Sequence, residues 1–393
     1  MKLAPLITHT PQLTTDQKQR YARHFTLPGI GPQGQARLTA ARVLSIGAGG
    51  LGSPALQYLA AAGIGTIGII DNDTVDTSNL QRQIIHTEHT VGQPKTTSAA
   101  HTLHNLNSNT TINQHNEQLT HHNALNIINQ YDLVLDGSDN FATRYIVNDA
   151  CEHLNKPLIW GTISQYTAQV STFWAHPTLT DNTTTDGPTL RDLYPEIPPA
   201  DSVPTCAAGG VLGSLCGTIG SIMATEATKL ITGLPTPLIG TLWMYDARTH
   251  TVKTLQYSRE NNRQPTPLEQ TFEQITEANH TLTEEPIPEI THQEITQNPQ
   301  KYALIDVRQP EERTTGHYND IAHHPHEQLI QLIQQGKKLT ELIPELNTPE
   351  NTPKTPVIYC AAGVRSAKVV RALAKSQPNL TIYSLKNGYR VGE

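Results

Sequence analysis

Cysteine is scarce in this chain of 393 residues: Cys151, Cys206, Cys216 and Cys360 stand far apart, with no CxxC pair among them. That spacing argues against a disulfide scaffold and against a zinc site of four thiolates, and leaves thiol chemistry as the use open to a cysteine. Long apolar runs are lacking as well. No stretch approaches the roughly 18–20 residues that cross a bilayer. The start MKLAPLITHTPQLTTDQ has neither a basic n-region nor a sustained apolar segment, so the reading is a cytoplasmic protein with no membrane partner. Charged residues make up only 16%, and 28 Lys+Arg against 35 Asp+Glu leave a net charge of −7, which offers no basic field to nucleic acid. What is present is ordinary globular material: 36% hydrophobic residues with Gly 26 and Pro 27, too balanced for a collagen-like or wholly disordered chain. At roughly 100–200 residues per domain, the length suggests two or three domains.

A helical opening at 17–23 leads through a Gly/Pro-rich turn at 28–34 into an alternating pattern. Arg42–Ile46 reads as a short apolar strand, 47–52 as a glycine turn, 53–62 as a helix and Thr66–Ile70 as a second buried strand. Strands apolar on both faces belong in parallel sheets. With a helix at 96–106, strands near 111–113 and 132–135 and a helix around 124–129, the pattern predicts an α/β fold with a Rossmann-like doubly wound sheet. Residues 157–174 read as strands, 178–204 as an irregular crossing, 207–232 as one long helix and 240–256 as a strand pair. A polar, proline-bearing stretch follows, and then a smaller α/β unit: strand 302–307, helix 328–335, strand 357–359, helix 366–375. The expected division is a first domain at 1–257, a linker with one helix at 258–287 and a second domain at 288–393.

Gly47, Gly49, Gly50 and Gly52 of GAGGLG stand directly after a strand and before a helix, where a tight turn and a helix N-terminus bring N–H groups to a phosphate. Asp71 ends the next strand, placed to accept from ribose hydroxyls. A hydride-carrying dinucleotide is the usual reading of that pair, and an NAD-dependent oxidoreductase stays an alternative. The run DNDTVDTSNLQRQ then adds Ser78, Asn79 and Arg82, and VGQPK adds Lys95. Two cations around a phosphate loop suit a triphosphate, whereas a hydride carrier does not need them. DGSDN at 136–140 offers Asp136, Asp139 and Asn140 at a strand end, and either carboxylate could be the one that matters.

In this order, RYARH, GAGGLG, DNDTVDTSNLQRQ, VGQPK, DGSDN and VPTCAAGGVLG resemble the adenylating enzymes of the MoeB/ThiF type, relatives of ubiquitin-activating enzyme, over residues 20 to 256. The resemblance implies ATP and Mg2+ as cofactors. As partner it implies a ubiquitin-like sulfur carrier protein whose C-terminal Gly-Gly is adenylated. It further implies that Gly50 and Asp71 hold the nucleotide, that Ser78, Asn79, Arg82 and Lys95 line the phosphates, and that Asp139 binds Mg2+ with Asn140 beside it. Arg23 is similar to the arginine that reaches the ATP site of a neighbouring subunit, which implies a homodimer. The chemistry agrees, since attack of a carboxylate on an α-phosphate needs cations to offset developing charge. Cys206 matches the family's crossover-loop cysteine, proposed to link covalently to the carrier, and its place before a predicted helix would lower its pKa. Cys151 and Cys216 fall in helical patterns as core residues. Family members carry two CxxC pairs for structural zinc; here the matching segments, GPTLRD at 187–192 and YSREN at 257–261, hold no cysteine, so no zinc is expected. His101, His104, His121 and His122 are scattered as helix-surface residues rather than gathered as metal ligands.

CAAGVRS at 360–366 lies between a strand and a helix, where backbone N–H groups and the helix dipole favour a thiolate or persulfide anion on Cys360. With LIDVRQP at 304–310 and Gly316-His317, the loop resembles rhodanese over residues 288 to 388. A loop one residue longer occurs in dual-specificity phosphatases and keeps phosphatase chemistry as a rival. The His-rich 321–327 replaces a Pro-Gly-Ala-Ile-type segment, and Glu393 follows soon after Gly388, which leaves open whether the last helix of that domain is present. The fusion is similar to the MoeZ-type adenylyltransferase/sulfurtransferases. It implies catalytic roles for Cys360, Cys206 and Arg23: a carrier is adenylated, Cys360 accepts sulfur from a persulfide or thiosulfate donor, and a thiocarboxylate forms for molybdopterin synthesis or a related thiolation. The alternative is adenylation alone, with the rhodanese-like domain as a partner-binding module.

Overall fold

Apolar residues on both sides of Arg42–Ile46 leave that strand no solvent face, and in the computed structural model it is β1, central in the sheet of the first unit. The structure describes residues 3–198, 210–260, 263–280, 287–318, 320–347, 354–361 and 363–389. The chain divides into two units, Met1–Thr281 and Leu282–Glu393. In the first, β2 (Thr66–Ile70), β3 (Thr111–His115), β4 (Leu133–Asp136) and β5 (Leu158–Ser164) join β1 in a parallel array ordered β3-β2-β1-β4-β5. The antiparallel strands β6 (Thr167–Phe173), β7 (Thr241–Asp246) and β8 (Thr251–Gln256) extend it beyond β5. This is the doubly wound sheet expected from the sequence. Chain order reverses between β1 and β4, so a crevice opens beyond their C-terminal ends, after Ile46 and Asp136.

Alternation along the strands builds two cores. Val43, Ile67, Leu133 and Ile159 face one layer with Leu56, Ile219 and Met223 from the helices Gly52–Ala62 and Gly213–Thr232. Leu44, Ile70, Val134 and Leu158 face the other, with Tyr145 and Ile146 from the helix Phe141–His153. Two expectations shift. The long helix starts at Gly213, not at 207, because Gly210 turns the chain with φ +73° and Val211 bridges to Gln165. A helix, Gly31–Ala40, stands in the Gly/Pro-rich stretch expected to be a turn. Its Pro32 lies in the first helical turn, where a missing N–H costs no hydrogen bond.

Within 258–287, the helix Leu268–His280 packs on Phe141–His153, burying Leu268 and Ile275, while Thr271 Oγ1 donates to Asp149 Oδ2 at 2.6 Å. The chain leading to it is fastened by ion pairs. Arg263 Nη2 and Nη1 donate to Glu152 Oε1 and Oε2 at 2.8 and 3.0 Å, and its Nε to Asp192 Oδ1 at 3.0 Å. Arg259 Nη2 adds a bond to Glu152 Oε1 at 3.0 Å. Burial pushes the Asp192 carboxyl up, but the Glu260 and Thr189 N–H groups and Arg263 outweigh it and hold the group below the usual carboxylate range.

The second unit is a parallel sheet ordered β11 (Ala322–His323), β10 (Tyr302–Asp306), β12 (Thr355–Tyr359), β13 (Tyr383–Leu385) and β9 (Glu289–Ile290). The helices His326–Gln334 and Val364–Ser376 pack on one another through Leu329, Ile333, Val369 and Leu373.

The clasp makes a measurable claim on stability. Glu152→Ala removes a carboxylate whose side chain is 1% exposed and leaves two guanidinium groups short of a partner. The expected cost is about 3–5 kcal/mol in urea unfolding followed in the first unit. A loss below about 1 kcal/mol, the value of an exposed pair, would remove the clasp from the account of this fold.

Candidate functional site

The turn after β1 is shaped by the absence of side chains. A Cβ on Gly52 would collide with the Gly47 carbonyl oxygen, one on Gly50 would fall 2.9 Å from Cys216 Sγ, and Gly47 takes φ +88°. Backbone N–H groups and the start of the helix Gly52–Ala62 are thereby left open to a ligand. Asp71 fixes the loop to the end of β2: its Oδ2 accepts from Ala48 N–H and its Oδ1 from Asp73 N–H, each at 2.9 Å.

Beyond this loop lies a cleft of about 200 Å3. Gly47, Gly49 and Gly50 line it beside β1, Asp71, Arg82 and Lys95 beside β2, and Asp139 and Asn140 beside β4. Chain segments far apart in sequence thus converge where the strand order reverses. Lys95 Nζ meets Asp73 Oδ2 at 2.7 Å, with the lysine side chain 8% exposed and the aspartate 64%. Arg82 Nη1 donates to the Ser78 carbonyl at 3.0 Å. Ser78 and Asn79 themselves do not line the cleft. They form the turn Thr77–Asn79, capped by Asp76, whose Oδ1 accepts from Ser78 N–H at 2.7 Å, and that turn carries Arg82.

Burial sets the two carboxylates of 136–140 apart. Asp136 is fully buried at the end of β4, and burial pushes its carboxyl up although Arg144 and the Ser138 N–H act against it. Its Oδ2 has no hydrogen-bond partner among the described residues. Asp139 is exposed at the cleft edge, and Asn140 beside it caps the helix Phe141–His153 by accepting from Thr143 N–H at 2.9 Å. An exposed carboxylate facing open space fits a hard divalent cation that keeps its waters and takes further oxygen ligands from a substrate. Among the described residues no group of three or more His, Cys, Asp or Glu would hold a metal by itself.

Two cleft features escaped the sequence. Arg144 lines the cleft and grips the 136–140 turn, its Nε and Nη2 donating to the Ser138 carbonyl at 3.2 and 2.8 Å and Nη2 to Thr162 Oγ1 at 3.0 Å. Its position one helical turn after the Asn140 cap was the available signal. Cys216, expected only in the core, is 3% exposed and also lines the cleft against Gly50. Arg23 stands exposed on the short helix Ala22–Phe25 and does not line this cleft. Cys206 lies outside the described residues. His121 and His122 sit in a turn, their rings 3.8 Å apart, with Phe272 stacked on His121, and not on a helix surface.

In the second unit Cys360 follows β12 and is 1% exposed. Its Sγ accepts from Gly363 N–H at 3.1 Å and from Ser366 N–H at 3.4 Å, with Gly363 at φ +88° so that the loop can curl around the sulfur. Arg365, in the first turn of the helix Val364–Ser376, forks onto both oxygens of Glu312 at 2.6 Å. Burial raises the Glu312 carboxyl, but Arg365 and the Gln309 N–H outweigh that and keep it below the usual range. The His-rich segment forms β11, where His323 Nε2 meets the Arg308 carbonyl at 2.9 Å.

Comparison with known proteins identifies the family of each unit. Residues 21–266 match the ThiF family and residues 289–391 the rhodanese-like domain, which favours sulfur over the phosphatase rival at Cys360. A Mycobacterium tuberculosis protein called "Probable adenylyltransferase/sulfurtransferase MoeZ" is 42% identical over 381 residues, which are 95% of this chain and 92% of that one. The sulfur carrier protein adenylyltransferase of Thermus thermophilus is 46% identical over 246 residues, 63% of this chain and 89% of its own. Among solved structures, E. coli MccB with ATP superposes with a TM-score of 0.53 at 20% identity, over 64% of this chain and 76% of that one, a likeness of fold.

Proposed function

The chain belongs to the ThiF family, carries a rhodanese-like domain behind it and is an adenylyltransferase and sulfurtransferase; on that premise we propose that it adenylates the C-terminal Gly-Gly of a ubiquitin-like sulfur carrier protein and converts that terminus to a thiocarboxylate. What supports this reading is the convergence of the glycine loop, Arg82, Lys95 and Asp139 on one cleft. ATP enters as substrate. Backbone N–H groups of the loop receive its phosphates, Lys95 and Arg82 offset their charge, and Asp71 takes the ribose while holding Ala48. Asp139, with the turn fixed by Arg144, would hold Mg2+, which supplies positive charge at the phosphates when bound. The carrier carboxylate attacks the α-phosphorus, an acyl-phosphate bond forms, and pyrophosphate leaves.

Cys360 then serves as sulfur acceptor. Its thiolate attacks the outer sulfur of a persulfide or thiosulfate donor, the donor's S–S bond breaks, and a persulfide remains under the N–H groups of Gly363 and Ser366. The terminal sulfur attacks the carrier's acyl carbon, AMP leaves, and a second thiol attacks the Cys360 sulfur of the acyl disulfide, so that the thiocarboxylate leaves and Cys360 ends in a disulfide with that thiol. Cys206 is the proposed point of a covalent link to the carrier. Arg23, exposed and away from its own chain's cleft, is proposed to serve the cleft of the second copy in a homodimer. A cytoplasmic setting belongs to the proposal; among the described residues no helix is long and apolar enough to cross a membrane. The oxidoreductase alternative leaves Arg82, Lys95 and Asp139 without a task. Adenylation alone is distinguished by Cys360.

Asp139→Ala should lower carrier-dependent ATP/pyrophosphate exchange on the order of 100-fold or more, while Cys360→Ser leaves exchange intact and stops thiocarboxylate formation from a persulfide donor. The carrier's mass and pyrophosphate release are followed separately. Unchanged thiocarboxylate yield in Cys360→Ser would reduce the second unit to a docking module. Mixing Arg23→Ala and Asp139→Ala subunits should restore partial exchange if each cleft borrows Arg23 from its partner, and no recovery in verified mixed dimers would return Arg23 to its own chain. In the two segments where the family's zinc cysteines would stand, Asp192 is paired with Arg263 and Arg259 with Glu152, and we propose that structural zinc is absent. Elemental analysis should find it well below one ion per chain, with the unfolding midpoint unmoved by chelator; one tightly held zinc contradicts this.

A further inference from the structure

His86 has no part in the mechanism above, yet it is 5% exposed and both ring nitrogens are engaged. Nε2 lies 3.0 Å from the carbonyl of Ala48, a residue of the glycine loop. Nδ1 lies 2.8 Å from Ser98 Oγ. Ser98 Oγ donates to Thr90 Oγ1 at 2.9 Å, and Thr90 Oγ1 donates to the Thr87 carbonyl, also at 2.9 Å. The hydrogens of this row can be counted. A carbonyl only accepts, so Nε2 carries one. The Thr90 hydroxyl hydrogen goes to Thr87, so the Ser98–Thr90 bond uses the single hydrogen of Ser98. Ser98 can then only accept from the ring, and Nδ1 must carry a hydrogen as well. Only an imidazolium satisfies every bond at once. A neutral ring with its hydrogen on Nε2 leaves one bond of the row without a proton.

Charge and burial oppose that state. Burial drives the ring below the ordinary histidine value; the Ala48 carbonyl and Asp71 favour the cation, and Lys95 disfavours it. Those two side chains are the charged groups that face His86. What would tip the balance is further negative charge at the loop, and a polyphosphate brings it to the backbone that His86 supports from behind. We propose that His86 is a positioning residue of the nucleotide site, gaining a proton as phosphate fills the loop and so completing a hydrogen-bonded row from Ala48 through Ser98 and Thr90 to Thr87. The inference rests on reading the cleft as an ATP site and adds a coupling: nucleotide and proton bind together. The sign follows. A ring that holds its proton more tightly in the complex makes affinity fall as pH rises through the interval between its free and bound values, by at most about tenfold per pH unit for one proton.

The test is calorimetric titration of the full chain with MgATP over a pH series, in buffers of different ionisation enthalpy, beside His86→Gln, which keeps an N–H for the Ala48 carbonyl but does not titrate. Because the γ-phosphate also titrates, the wild-type-minus-variant difference is read. The expected result is an extra proton taken up by the wild type, a steeper fall of its affinity with pH, and affinities within roughly twofold of each other at alkaline pH, where both side chains are neutral. Identical proton counts and pH profiles overturn the coupling while leaving the nucleotide reading intact. Failure of both proteins to bind MgATP removes the nucleotide reading, and the coupling with it. Where the variant does not fold, long-range 1H–15N spectra of the wild type, recorded with and without MgATP, read the ring charge directly, and a ring still neutral in the complex overturns the proposal.

Discussion

The first unit depends on how closely the helix Gly52–Ala62 starts to the end of β1. No side chain fits between Gly52 and the Gly47 carbonyl, so the backbone itself forms the wall of the cleft and its N–H groups stay open to a ligand. Every other feature secures that loop or supplies what it lacks. Asp71 ties Ala48 to β2, His86 supports the same residue from the opposite side, and the helix Gly213–Thr232 closes behind it, with Cys216 against Gly50. Adding a methyl group at Gly52 would move the helix start, and with it the loop wall that faces Arg82 and Lys95 across the cleft.

How much of this was legible in the sequence follows from how local each device is. The places of GAGGLG, Asp71 and Lys95 at the cleft could be read because they rest on turn geometry and on short-range order along consecutive strands and helices. Asp136 and Asp139 could not be separated, since both stand in one turn and only the burial of the β4 end distinguishes the inner carboxylate from the outer. Ser78 and Asn79 were placed on the phosphates, but their side of the turn is committed to the Asp76 cap. Arg144 and His86 were missed for the opposite reason. Thr162, Ala48 and Ser98 come from other strands and helices, and the one local mark was the place of Arg144 a turn after the Asn140 cap. The helix predicted from 207 begins at Gly213 because a bridge from Val211 to Gln165 overrides local helical preference.

The second unit applies the same principle to sulfur. In both units a parallel strand ends, the chain turns through a glycine of positive φ, and a helix begins with its N–H groups facing a ligand position. The first loop leaves that position open, lining the cleft. The second fills it with the Cys360 sulfur, enclosed to 1% exposure. Glu312 holds Arg365 by a two-pronged pair, so the cation beside the sulfur site has a fixed direction. One arrangement of backbone donors thus faces an open position in one unit and a resident sulfur in the other.

The pairing of Lys95 with Asp73 shows how the cleft can hold a cation ready without trapping it. A lysine whose side chain is 8% exposed would be costly to leave unpaired, and Asp73 neutralises it at 2.7 Å. Asp73 itself is 64% exposed, so its half of the pair is hydrated and the bond is worth about 0–1 kcal/mol. Had both groups been buried, separating them would cost several kcal/mol, and an incoming phosphate would have to supply that before gaining anything. With one partner in water, Asp73 is free to swing out to solvent; under the ATP reading proposed above, the lysine would then exchange a weak counter-charge for the stronger one of phosphate oxygens without an interval in which it stands alone.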